Sequence, residues 1–188
     1  MRSDRTMSEA ARLVTAEELE HFPSDNNRFE LVEGRLVPMS PVSFEHGKVV
    51  LRVGFLLGRH LQDHPDGTVV AEVGFILARN PDTVRGPDIA FIRKDRVPAR
   101  DSRGFFKGPP DVAIEVLSPE DRPGEVRAKT EEYLAQGVPL VVVIDPDEKT
   151  AALFRPTGHQ AILRQGADLL DLNYVIPGFS CRLREIFE

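Results

Sequence analysis

The amino-acid sequence predicts a mixed α/β fold. Three observations predict it: two segments with helical apolar spacing, around 49–61 and 126–133; two strand-length segments apolar on both faces, 112–117 and 140–145; and a strand–turn–strand signature near the N-terminus. Their alternation along 188 residues suits one packed domain over 13–188, preceded by a loose polar tail over 1–12.

The elements follow in order. Thr15 with Glu18 three residues later reads as a capping box, opening a short helix that ends before Pro23. Arg28 to Pro38 reads as a hairpin in which Phe29 and Leu31 alternate with Glu30, and Glu33-Gly34 makes the turn. Ser43 is placed as the N-cap of a long helix. Val49, Val50, Val53, Leu56, Leu57 and Leu61 recur there at helical spacing, and Pro65-Asp66-Gly67 stops it. Thr68 to Ala78 and Asp88 to Arg93 read as strands joined by a turn-rich stretch, Asn80 to Gly86. Asp111 to Leu117 is apolar on both faces, as in a strand at the middle of a covered sheet. A second helix runs from near Pro123 to Gly137, with Pro139 beyond it. Leu140 to Asp145 is another buried strand, and Ala151–Arg155 with Gln160–Arg164 forms a hairpin turned at Thr157-Gly158.

Composition sets the limits on function. Hydrophobic residues are 41% and charged residues 29% of the chain, as in ordinary globular proteins. No apolar run approaches the ~20 residues that span a bilayer, and no secretory signal is expected. One cysteine, Cys181, excludes an internal disulfide and fits a reducing cytoplasm. The formal net charge of −6 argues against a broad grip on nucleic acid. A local basic run, Arg93, Lys94, Arg96, Arg100, Arg103 and Lys107, offers such a grip or reads equally as a solvated loop.

Three residues carry the chemistry. Glu115 lies inside the most strand-like segment, where an ionised carboxylate needs a cation, a metal or hydrogen bonds beside it. Asp88 leads the strand Asp88-Ile89-Ala90-Phe91-Ile92. If the two strands pair, the two carboxylates meet at one sheet edge, a donor set suited to Mg²⁺ or Mn²⁺. Lys129 shares a helix face with Val126 and Tyr133, while Arg127, Glu131 and Glu132 are expected on the exposed side. A lysine on a buried stripe reads as a partner for the carboxylates or as a snorkelling side chain. His21, His60, His64 and His159 have no metal-ligand spacing, and no phosphate-binding glycine loop is present.

The ordered set Phe29-Glu30-Leu31-Val32-Glu33-Gly34, Ser43-x-x-His46, Pro87-Asp88-Ile89-Ala90-Phe91, Ile114-Glu115-Val116-Leu117-Ser118-Pro119, Lys129-x-x-x-Tyr133, Gly137-Val138-Pro139 and Ile144-Asp145-Pro146 resembles the PD-(D/E)XK nuclease superfamily, in its Uma-type restriction endonuclease branch. The resemblance runs from about residue 14 to the C-terminus. It implies a restriction-endonuclease-like core, a central mixed sheet flanked by helices, with the N-terminal hairpin attached. It also implies a Mg²⁺- or Mn²⁺-dependent endonuclease acting on DNA, with Asp88 and Glu115 as metal ligands and Asp88, Glu115, Lys129, His46 and Glu30 as candidate catalytic residues. One departure is informative: Leu117 stands where the motif lysine belongs, and Lys129 fits the role of a lysine migrated to the following helix. His46 reads equally as a hydrogen-bonded core residue, and Glu30 equally as an outward strand residue. The rival expectations are a nuclease-fold binding module without efficient cleavage and a hydrolase of small nucleotides. No membrane partner is expected, and a homodimer is suggested by analogy with duplex cleavage.

Overall fold

The computed structural model describes residues 12–22, 28–39, 41–99, 103–158, 160–164 and 168–188. The expected tail over 1–12 lies almost wholly outside the described residues, as do Pro23, Arg100 and His159.

Helix α1 (Ala16–Glu20) starts on the expected capping box: Glu18 N donates to Thr15 Oγ1, and Thr15 N donates to Glu18 Oε2 at 2.9 Å. Strands β1 (Arg28–Val32) and β2 (Arg35–Met39) form the hairpin. Its turn needs positive φ at both central residues, and Glu33 (φ 49°) and Gly34 (φ 75°) supply it. Helix α2 (Phe44–Asp63) is capped by Ser43, whose Oγ accepts from His46 N at 3.2 Å.

The single strand expected over Thr68 to Ala78 is two strands in two sheets, β3 (Gly67–Ala71) and β4 (Phe75–Ala78). Between them Glu72 takes a left-handed φ of 57°, and a Cβ on Gly74 would lie 2.3 Å from the Phe105 ring. The chain turns out of one sheet there while its apolar pattern continues, so periodicity alone runs the strands together. The stretch expected as turns over Asn80 to Gly86 contains a further strand, β5 (Thr83–Arg85).

Strand β6 (Ile89–Arg93) pairs antiparallel with β8 (Val112–Val116), which pairs parallel with β9 (Leu140–Asp145) across helix α3 (Pro123–Ala135). With β10 (Thr150–Phe154) and β11 (Gln160–Arg164) they form a mixed sheet in the order β11-β10-β9-β8-β6-β3, so β8 is interior, as its apolar run requires. Strand alternation then assigns the faces. Ile89, Phe91, Ile114 and Val116 point to Val49, Val53, Leu56 and Leu57 of α2. Ala90, Ile92, Ala113 and Val141 point to Tyr133 of α3. The hairpin belongs to a second sheet, β2-β1-β5-β4-β7, closed by the short strand β7 (Phe106–Lys107). A C-terminal ribbon, β12 (Leu169–Asp171) with β13 (Ser180–Arg182), and helix α4 (Arg184–Phe187) complete the α2 side. Burial there pushes the Cys181 thiol up to about 11. No described helix is long and apolar enough to cross a membrane.

Candidate functional site

The site grows from the end of β8. Residue 115 alternates with Ile114 and Val116, so its side chain leaves the α2 face and enters the α3 face. There Lys129 Nζ donates to Glu115 Oε2 at 3.0 Å and Tyr133 Oη donates to Glu115 Oε1 at 2.8 Å. Lys129 and Tyr133 are one helical turn apart, which is why a single helix presents both. Burial, with the charges of Asp88 and Glu30 added, raises the Glu115 carboxyl to about 7 against the pull of Lys129 and the Tyr133 hydroxyl.

Glu30 closes the group from the hairpin sheet. Buried on β1, it lies 3.1 Å from Lys129 Nζ and accepts from Arg85 Nη1 at 2.7 Å and from Gly86 N at 3.0 Å. It therefore faces inward, and the alternative of an outward strand residue is excluded. Burial opposes its charge, but Lys129, Arg85 and the Gly86 amide outweigh burial and hold its carboxyl below the usual range. Lys129, between two carboxylates, is held charged: burial disfavours the ammonium, and Glu115 and Glu30 more than compensate.

Asp88 reaches the same edge from the start of β6. Its Oδ2 accepts from Val116 N at 2.7 Å, and its Oδ1 lies 3.2 Å from His46 Nε2. The other nitrogen of the buried His46 ring is 3.2 Å from Ser118 Oγ. The Ser43 cap begins α2 so that His46 falls on its buried face and meets the Asp88 corner. Burial alone would lower the imidazole; Asp88, with Asp121 and a backbone contact at Val116, raises it above its ordinary value.

All five candidate residues are thus linked through Lys129 or Asp88. Three partners were missed by sequence reasoning. Arg85, in the stretch expected as turns, binds Glu30 and also Glu132, at 2.5 Å. Glu132, expected on the exposed side of α3, is therefore half-buried and corrects that expectation; its spacing of i+3 from Lys129 was the available signal. Ser118 carried no signal beyond its place after β8. Within the basic run, Arg93 and Arg96 both bind the buried Asp111, at 3.1 and 2.9 Å, while Lys94, Arg103 and Lys107 are exposed.

Among the described residues, no group of three or more His, Cys, Asp or Glu side chains is arranged to hold a metal ion. The donor set at the sheet edge, Asp88 and Glu115, is oxygen only. It fits an ion such as Mg²⁺, which takes one or two carboxylates and keeps water and substrate oxygens in its other positions.

Comparison with known proteins places the chain in a family and a fold. A family described as "Uma2: Putative restriction endonuclease" matches residues 16–184. A solved structure titled as a putative nuclease belonging to DUF820, from Anabaena variabilis ATCC 29413, superposes with a TM-score of 0.80 at 19% identity, covering 93% of this chain and 97% of that one. It shares the fold. No curated protein matches the chain. With the match spanning α1 to β13 and every element of the site, the chain belongs to the Uma2 family of restriction-endonuclease-like proteins.

Proposed function

We propose that the chain is a metal-dependent endonuclease that hydrolyses phosphodiester bonds in DNA. The observation that supports it best is Lys129, held charged between Glu115 and Glu30 beside the Asp88 corner. Asp88 and Glu115 are the residues that would hold Mg²⁺ or Mn²⁺. Such an ion, when bound, polarises the phosphate and acidifies an attacking water.

The chain's own residues do the rest. Lys129 stays protonated, so it donates hydrogen bonds and balances charge on the phosphate; it does not take a proton from water. Glu30 and Arg85 fix the position of Lys129. Tyr133 orients Glu115, and Val116 N with His46 orients Asp88. Plasmid cleavage with Mg²⁺ tests the reading: Asp88→Ala, Glu115→Ala and Lys129→Ala are each expected to lose at least about 100-fold in rate. Unchanged cleavage in all three variants overturns it.

One observation favours a second reading, a binding module that cleaves poorly. Arg93 and Arg96 are both paired with Asp111, so two cations of the basic run are already engaged within the chain and fewer are open to a DNA backbone. Absence of Mn²⁺ binding in wild type at millimolar metal would favour that reading.

A further inference from the structure

Among the described residues, no element covers the apolar stripe on the outer face of α2. Phe44 is 83% exposed, Leu51 75% and Phe55 55%, and all three fall on one stripe, at i, i+7 and i+11. They line a groove of about 740 Å³ with Gly47, Arg52 and Glu188. Three large apolar side chains exposed in a row on a helix otherwise packed in the core mark an interaction surface.

We infer that this stripe is the interface of a two-fold dimer in which the α2 helices of two copies pack antiparallel about Leu51. The stripe is complementary to itself in that register. With Leu51 opposite Leu51, Phe44 comes opposite Gly58 of the second copy, and Phe55 opposite Gly47. A Cβ on Gly47 or on Gly58 would meet nothing within 4 Å, so both glycines leave open space where an aromatic ring can enter. On the rim, Arg59, whose guanidinium lies 5.7 Å from the Phe55 ring centre, falls on the same flank as Glu45 of the second copy, which within its own copy pairs with Lys48 at 3.4 Å. Area sets the size of the contact. Taking about 200 Å² for a whole large side chain, Phe44, Leu51 and Phe55 present on the order of 400 Å² per copy. That is about half of the roughly 800 Å² per partner in a standard interface, so with the stems of Lys48 and Arg59 added the pairing is a small one, of the kind found in weak dimers.

The test is the mass of the full chain by light scattering or sedimentation. At about 100 µM, high enough to populate a micromolar dimer, wild type is expected at twice the 21.0 kDa of one copy. Leu51→Glu and Gly58→Arg are expected at the mass of one copy with an unchanged circular dichroism spectrum, since neither position is packed within the chain. A short bismaleimide should crosslink Leu51→Cys and not Gln62→Cys, which the register carries past the end of the pairing. Wild type at the mass of one copy overturns the dimer. Dimers that survive both substitutions, or equal crosslinking at residues 51 and 62, overturn this interface. Mass is read independently of cleavage, so loss of the nuclease reading leaves the dimer standing, and the reverse.

Discussion

Replacing Lys129 by methionine keeps the stem that packs on α3 and removes only the charge. Two carboxylates then lose their shared cation, Glu115 at 3.0 Å and Glu30 at 3.1 Å. Removing one member of a buried ion pair costs about 3–5 kcal/mol. The low end applies here. Glu30 keeps Arg85 and the Gly86 amide, Glu115 keeps the Tyr133 hydroxyl, and the Lys129 side chain is 22% exposed. A loss near 3 kcal/mol, with a urea slope of ~2 kcal/mol/M, moves the unfolding midpoint down by about 1.5 M. The measurement is urea unfolding followed by circular dichroism in EDTA, which removes any contribution from bound metal. Adding Glu115→Gln removes the stranded carboxylate, so the double variant should recover at least ~1 kcal/mol of that loss. A cost below ~0.5 kcal/mol, as for a surface lysine, would refute the account of Lys129 as the shared counter-charge.

Asp82, buried between α1 and the turn before β5, accepts from Ala16 N at 2.8 Å, Asn80 N at 3.2 Å and Arg79 at 2.8 Å. Burial opposes its charge, yet those donors hold its carboxyl below the usual value. A lowered folded pKa contributes stability above the unfolded value of ~3.9 and loses it as pH falls through the folded one. Asp82→Ala should thus cost about 1.5–3 kcal/mol near neutrality, with the gap to wild type closing below ~pH 4 in thermal melts. Arg96→Ala should weaken folding by about 1–3 kcal/mol through the buried Asp111 while leaving DNA affinity at fixed salt unchanged. A fall in affinity without a fall in melting temperature would reinstate the basic run as a DNA contact. Gly67→Ala puts a methyl 2.3 Å from the Ile92 carbonyl oxygen, so it should destabilise by at least ~1 kcal/mol in urea, where an open site would gain from alanine.

Much of the centre could be read from local pattern. Glu115 breaks an otherwise apolar strand, and Lys129 sits on a helix face with Val126 and Tyr133, so each is anomalous within its own element. The hairpin turn and both helix caps were equally local, because the residues that fix them lie within three or four positions of one another. What escaped was non-local. Arg85 sits among turn formers, and only the meeting of β5 with β1 and α3 gives it Glu30 and Glu132. The split between β3 and β4 depends on a left-handed Glu72 and on Phe105 closing over Gly74, neither visible in a hydropathy pattern. The C-terminal ribbon and α4 are too short for periodicity to separate them from loops.

The parallel pairing of β8 with β9 through α3 has a consequence for how the centre assembles. Glu115 and Lys129 are fourteen residues apart within that one crossover, whereas Arg85 and Glu30 are fifty-five apart. Closing the longer loop costs ~1.2 kcal/mol more in chain entropy, two doublings of length at about 0.6 each. The carboxylate and its ammonium can therefore meet early, as a unit carried by one strand and one helix. Glu30, Arg85 and the Asp88 corner join only when the second sheet docks and β6 finds its place. Until then Lys129 neutralises a single acid, so the docking of the second sheet is a charge-matching event as well as an apolar one.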